Sequence, residues 1–109
     1  MAFPALIAGG ALLGCAVRNR DGDSLGSICE LMLDPKDGCI VYAVLSYGGV
    51  VGVGEKLFAV PWAAFDFEEE SRTLVLDADP ARLDAADGFD KDSWPTRADD
   101  DWLRPAAAA

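Results

Sequence analysis

The sequence predicts a small all-β domain of six strands, with one short helix and an extended C-terminal tail. Three observations carry this. Cys39 to Tyr47 is an uncharged run rich in β-branched and aromatic types, which suit a pleated, crowded surface. Turn signals break the chain at short intervals: Asp21-Gly22, Asp37-Gly38, the glycines from Gly48 to Gly54, and Pro61. Phe65 and Phe67 alternate with Asp66 and Glu68, the pattern of a half-buried strand.

Met1 to Val17 carries no charge. Leu12-Leu13-Gly14-Cys15 resembles a lipoprotein cleavage box, but an export signal needs a positively charged start, and none precedes this run. The stretch is also short for a spanning helix and is broken by Pro4, Gly9 and Gly10. We read Leu12 to Val17 as the first strand and the residues before it as a partly ordered lead-in. Leu25 to Leu33 forms the second strand. Its alternation puts Cys29, Leu31 and Leu33 on one side and Ile28, Glu30 and Met32 on the other. Asp34 to Gly38 is a tight turn into the third strand.

That third strand, Cys39 to Tyr47, is the centre of the chain. Alternation divides it into Val41, Ala43, Leu45 on one face and Ile40, Tyr42, Val44 on the other. Both faces are apolar. A sheet with one wet face would show polar residues on one of them, so the outer face is expected to be covered. Gly48 to Gly54 then reverses the chain into the fourth strand, Lys56 to Val60. A phosphate-binding loop would lead into a helix, whereas these glycines lead into a β-type segment. Pro61 to Ala64 is a single turn, Phe65 opens the fifth strand, and Arg72 to Asp77 is the sixth. A short helix follows, with Asp79 as N-cap, Pro80 in the first turn and Gly88 as terminator. Leu83 on that helix is expected to plug one end of the core.

The units are therefore a lead-in (1–11), a barrel domain (12–86) and a Trp- and Asp-rich tail (87–109). The tail holds Phe89, Trp94 and Trp102 among aspartates, a composition suited to packing across a surface. Whether that surface is its own barrel or a neighbour's is open from sequence.

Composition narrows the function. With 109 residues and 51% hydrophobic content, one domain can bury an adequate core. The formal charge of −10 repels nucleic-acid backbones and anionic lipid, so neither nucleic acid nor membrane insertion is expected. There is no histidine, the commonest general base and metal ligand. The three cysteines, Cys15, Cys29 and Cys39, lack paired metal spacing and read as buried thiols in a reducing, cytoplasmic setting. Glu30, a carboxylate within an apolar strand, reads as a backbone-bonded residue near the barrel mouth, with no partner acid or base to make it catalytic. Asp34 and Asp37 lack the spacing of a calcium loop, and the run Asp99 to Asp101 reads as solvated. No catalytic, cofactor-binding or metal residue is assigned.

The order of these signals is Leu13-Gly14 and Val17, Asp21-Gly22, Leu25-Gly26 and Ile28, Asp34 and Gly38, then Tyr42 and Val44. The glycine loop, Val60-Pro61-Trp62, and Leu74, Leu76 and Leu83 complete it. It resembles the PRC-barrel family, named for the cytoplasmic domain of the photosynthetic reaction-centre H subunit. The resemblance covers about Leu12 to Leu83. Gly88 to Pro95 is similar to an extension on short stand-alone bacterial members. The resemblance implies a strongly bent, SH3-like barrel that serves as an adaptor, with no shared catalytic motif. The chain shows no transmembrane helix and no N-terminal partner domain, so neither the reaction-centre role nor the ribosome-maturation role of larger members carries over.

The expected function is a non-enzymatic protein–protein interaction module, self-associating as a homodimer and binding a protein partner the sequence does not name. The expected interface is Ile40, Tyr42, Val44, Phe89, Trp94 and Trp102. The alternative is a small-ligand or divalent-metal-binding barrel using Glu30 and the acidic tail.

Overall fold

The computed structural model describes residues 3–48 and 54–98. Six strands form one curled sheet in the order β4-β3-β2-β1-β6-β5. They are β1 (Ala16–Arg18), β2 (Ser24–Asp34), β3 (Cys39–Tyr47), β4 (Lys56–Pro61), β5 (Phe65–Glu68) and β6 (Thr73–Leu76). Neighbours pair antiparallel, except β1 with β6, which is parallel through Val17–Leu74 and Arg18–Val75. A 3-10 turn, Trp62–Ala64, joins the two outermost strands β4 and β5, so the sheet curls into a half-barrel. Two short helices flank it, α1 (Gly9–Leu12) and α2 (Pro80–Ala85).

The core fills the concave side. It contains Val17, Leu25, Ile28, Ala43, Leu45, Phe58, Val60, Phe67, Leu74 and Leu76, with Leu12 and Leu83 closing it. Leu83 is fully buried, as its place on the short helix predicts. Phe3 stacks on Phe67 at 5.5 Å and leans on Trp62 at 5.2 Å, so the lead-in packs against the barrel.

Leu12 is not in a strand. It ends α1, and Gly14 follows at φ +80°, a left-handed turn. The first strand therefore starts at Ala16, four residues later than the apolar pattern predicts.

β2 departs from simple alternation. Leu25, Ile28 and Leu31 all face the core, a spacing of three that a regular strand cannot give. Bulges supply the extra residues. The β1–β2 register shifts between Val17 and Arg18, and the β2–β3 register shifts between Ile28 and Glu30. Each bulge adds local twist, which lets so short a sheet curl. Gly26 sits in the first of these irregularities at φ +128°, and a Cβ there would lie 2.0 Å from the Ser46 carbonyl oxygen on β3. Backbone replaces side chain at this crossing.

The same effect corrects the faces of β3. Met32 pairs with Tyr42 and Leu33 with Ile40, leaving Val41 as the extra residue. Ile40 is thereby turned to the core side, away from Tyr42 and Val44, and Val41 is exposed instead of buried. On β2, Ile28 joins Leu31 rather than Glu30, and Cys29 is left outside.

Among the described residues Asn19 is the buried polar one. Its Nδ2 donates to the Asp23 carboxylate (2.9 Å) and to the Ala78 carbonyl (3.1 Å). Its Oδ1 accepts the Asp21 and Asp23 amides at 3.0 and 2.9 Å. One amide thus ties the β1–β2 turn to the segment after β6, with its capacity satisfied.

Candidate interaction surface

The convex side of the sheet carries a second apolar cluster. Tyr42, Val44 and Ala59 are its buried members, and Met32, Leu57, Phe89 and Ala98 pack on them. Tyr42 and Val44 belong to β3 and Ala59 to β4, paired across the ladder as Val44–Ala59. The apolar outer face expected from sequence is therefore real, and the chain's own tail covers it.

The tail reaches this face by a defined path. Asp79 caps α2 by accepting the Ala81 amide at 3.0 Å, and Pro80 occupies the first turn. The helix ends at Ala85, and its last carbonyls are met by a cation from β4. Lys56 Nζ donates to the carbonyls of Leu83 (3.3 Å), Asp84 (2.6 Å) and Ala86 (2.9 Å). A lysine at a helix C-terminus satisfies orphan carbonyls and complements the helix dipole. The Tyr47 hydroxyl donates to Asp84 Oδ1 at 2.7 Å and lies 3.1 Å from the Pro80 carbonyl. That hydrogen bond, with burial and the charges of Asp84 and Asp79, pushes the Tyr47 phenol up to about 12.

Gly88 then turns the chain at φ +72°. A Cβ there would sit 2.6 Å from the Leu57 carbonyl oxygen. This close approach lets the Phe89 amide donate to that same oxygen at 2.8 Å, forming an antiparallel bridge on the free edge of β4. Asp90 to Ser93 makes a turn, held by the Asp92 amide on Asp90 Oδ1 and the Ser93 amide on the Asp90 carbonyl. Trp94 Nε1 donates to the Lys91 carbonyl at 2.6 Å, and its ring meets Phe89 edge-on at 5.2 Å. The Tyr42 hydroxyl donates to the Pro95 carbonyl at 2.7 Å. Burial raises the Tyr42 pKa, so this donor stays protonated across the physiological range.

Residues 86–98 thus form a strap over the convex face. Tyr42, Val44 and Phe89 come together there, with Trp94 edge-on against Phe89 and still 40% exposed. Ile40 is on the opposite side, for the reason given above. Trp102, with Asp99 to Asp101, lies outside the described residues. Sequence reasoning did not single out Ala59 or Pro95. Alternation along β4 pairs Ala59 with Leu57 against Phe58 and Val60 and could have found the first. Pro95 enters through its backbone carbonyl, which carries no sequence signal.

Beneath the strap's start lies a cleft of about 630 Å³. Leu57, Phe58 and Ala59 of β4 form its floor, and α2 and Phe89 its walls.

The remaining candidates are at the surface. Cys29 and Cys39 are exposed and Cys15 half-buried, so the expectation of buried thiols is corrected. The bulge puts Cys29 outside, and Cys39 lies at the hairpin end beside its turn. Partial burial of its sulfur, then the Glu55 and Glu30 carboxylates, raise the Cys29 thiol above its ordinary value, the reverse of nucleophile activation. Glu30 is exposed and accepts the Leu31 amide at 3.1 Å, a backbone-bonded carboxylate as expected. Among the described residues no three Cys, Asp or Glu side chains converge. The segment that follows the glycine-rich connection is β4, a strand and not a helix. None of the helices of the described residues is long and apolar enough to cross a membrane.

The PRC-barrel domain family model matches residues 6–83. The chain belongs to the PRC-barrel family. The match spans the half-barrel and ends at Leu83, so the strap lies beyond the matched residues. No curated protein matches the chain. Val60-Pro61-Trp62, which carried much of the resemblance, is the corner where β4 enters the 3-10 turn. Leu25-Gly26, another part of it, is where β2 crosses β3 without room for a side chain.

Proposed function

We propose that this PRC-barrel is a non-catalytic interaction module, and that its working face is the convex side of β3 and β4 together with the strap. The observation that carries this is the second apolar cluster, Tyr42, Val44 and Ala59, lying outside the core and roofed by a segment beyond the family match. A barrel that needed only stability could carry polar residues there. The family resemblance, which implies adaptors without a shared catalytic motif, supports the same conclusion.

Under the strap the cluster itself is covered. The apolar groups left at its margin are Trp94, over Phe89, and Val41, beside Tyr42 in the chain. An exposed aromatic next to a buried apolar cluster has the composition of an interface hot spot. We assign these two residues to the contact with a second copy of the chain, which makes the module a homodimer in an intracellular setting.

Sedimentation velocity from low to high micromolar concentration tests this. The full-length chain should show a concentration-dependent dimer, and Trp94→Asp should weaken it at least tenfold while circular dichroism stays unchanged. A monomer throughout, or a dimer indifferent to Trp94→Asp, contradicts the assignment.

A further inference from the structure

The β2–β3 hairpin outgrows the sheet on the β1 side. β1 has three residues and β2 eleven. The last backbone bonds from that side reach Ile28, whose amide donates to the Cys15 carbonyl at 3.0 Å and whose carbonyl accepts the Gly14 amide at 2.7 Å. Beyond Ile28, β2 runs on to Asp34 with an outer edge to which no strand of the described residues pairs. Strand geometry fixes what that edge presents, because the backbone groups of successive residues point alternately to the two sides. The Leu31 amide points outward, since it donates to Glu30 Oε1 at 3.1 Å. The Asp34 carbonyl points inward, since it accepts the Gly38 amide within the hairpin at 2.8 Å. Leu33, next to Asp34, therefore turns its amide and carbonyl outward like those of Leu31. Among the described residues, the Glu30 carboxylate is the one group hydrogen-bonded to these outward atoms. Leu31 packs on the margin of the core, and Leu33, on the same face, is 57% exposed. Glu30 lies on the opposite face with Met32, which joins the convex cluster.

We propose that this edge of β2 takes up an extended segment of a partner protein as an added strand, and that the segment alternates apolar with basic side chains. The outward backbone groups of Leu31 and Leu33 supply the affinity, as in strand addition generally. The face shared by Leu31 and Leu33 calls for apolar residues. Glu30, on the other face, calls for a lysine or arginine. That cation does two things. It pairs with the carboxylate across the strands, and it draws Oε1 off the Leu31 amide, which is then free for the partner's backbone carbonyl. A second copy of the chain fits badly. The self-pairing register that matches Leu31 to Leu33 is centred on Met32, and it sets Glu30 directly opposite Asp34 of the second copy at both ends. Each chain also carries a formal charge of −10. Charge thus selects a basic partner and guards the open edge against the chain itself.

This surface goes beyond the face proposed for self-association, and a monomer in sedimentation would leave it standing. The probe is a short capped peptide alternating valine and lysine, titrated into isotope-labelled full-length chain near physiological salt while the amide resonances are followed. The Leu31 and Leu33 amides should shift most and saturate below about 1 mM peptide. A valine–glutamate peptide should bind about tenfold more weakly. Glu30→Gln should narrow that gap about threefold, the loss of one exposed ion pair. The valine–lysine peptide N-methylated at alternate residues cannot donate to the outward carbonyls and should not bind. No shift at about 1 mM peptide, shifts centred on the strap, or equal binding of the methylated peptide overturns the proposal. Protection of the Leu31 and Leu33 amides gained simply by concentrating the chain also overturns it, by making the occupant a second copy.

Discussion

Replacing Gly88 with alanine should open the strap while leaving the barrel folded. Gly88 has φ +72°, where an L-residue costs about 1 kcal/mol or more. Its new Cβ would lie 2.6 Å from the Leu57 carbonyl oxygen and 3.2 Å from the Leu57 nitrogen. These are backbone atoms of a paired strand and cannot swing aside, so the strap must retreat. Retreat breaks the Phe89–Leu57 hydrogen bond and strains that from Tyr42 to Pro95, each worth about 1 kcal/mol net. The sum is about 3 kcal/mol, or about a hundredfold in the open-to-closed ratio of the strap. The core on the concave side holds none of the strap residues from Asp87 to Ala98, so the global urea midpoint should move much less. Native-state hydrogen exchange reads the two separately. The Phe89 amide should exchange about a hundredfold faster, while Leu45 and Leu74 amides keep their protection. Unchanged Phe89 exchange would refute the argument, because it would mean the close approach at Leu57 does not hold the strap.

Other predictions concern the barrel. Gly26→Ala forces a Cβ to within 2.0 Å of the Ser46 oxygen and should cost about 3 kcal/mol or more in urea unfolding; a loss below about 1 kcal/mol would show that β2 and β3 can separate freely. Asn19→Ala removes both side-chain donor contacts and both acceptor contacts of a buried amide, and about 3 kcal/mol is expected, read as a drop in thermal midpoint of more than 10 °C. Tyr47 has a folded pKa raised to about 12 against an ordinary 10, so its stabilising contribution is complete below pH 10 and is lost as pH climbs towards 12. Tyr47→Phe should remove that alkaline decline; an identical pH profile in the variant would place its cause elsewhere.

Much of the fold was legible because it rests on local chemistry. β3 runs from Cys39 to Tyr47, the bounds its β-branched run suggested, and α2 has the cap and first-turn proline that Asp79-Pro80 announced. The bulges were not legible. Whether Cys29 or Val41 pairs depends on the register of the opposite strand, and an inserted residue inverts the alternation beyond it. That is why Ile40 was placed with Tyr42 and Val44 and lies on the core side. Asn19 carries no local signal of its role, since nothing nearby in the chain announces the Ala78 carbonyl that lies 59 positions away. The apolar convex face and the need for a cover could be inferred from the two-sided strand, and the aromatic tail was a candidate for it; that the tail packs on its own barrel could not, because pairing at Leu57 depends on how α2 leaves the barrel.

Hydrogen exchange of the full-length chain, compared at low micromolar and high micromolar concentration, tests most directly whether the convex flank and its strap form the contact surface. Amides of Val41 and of Phe89 to Trp94 should gain protection at the higher concentration while those along β5 and β6 stay as they were. Identical exchange at both concentrations, or protection gained on β5 and β6 instead, would contradict it.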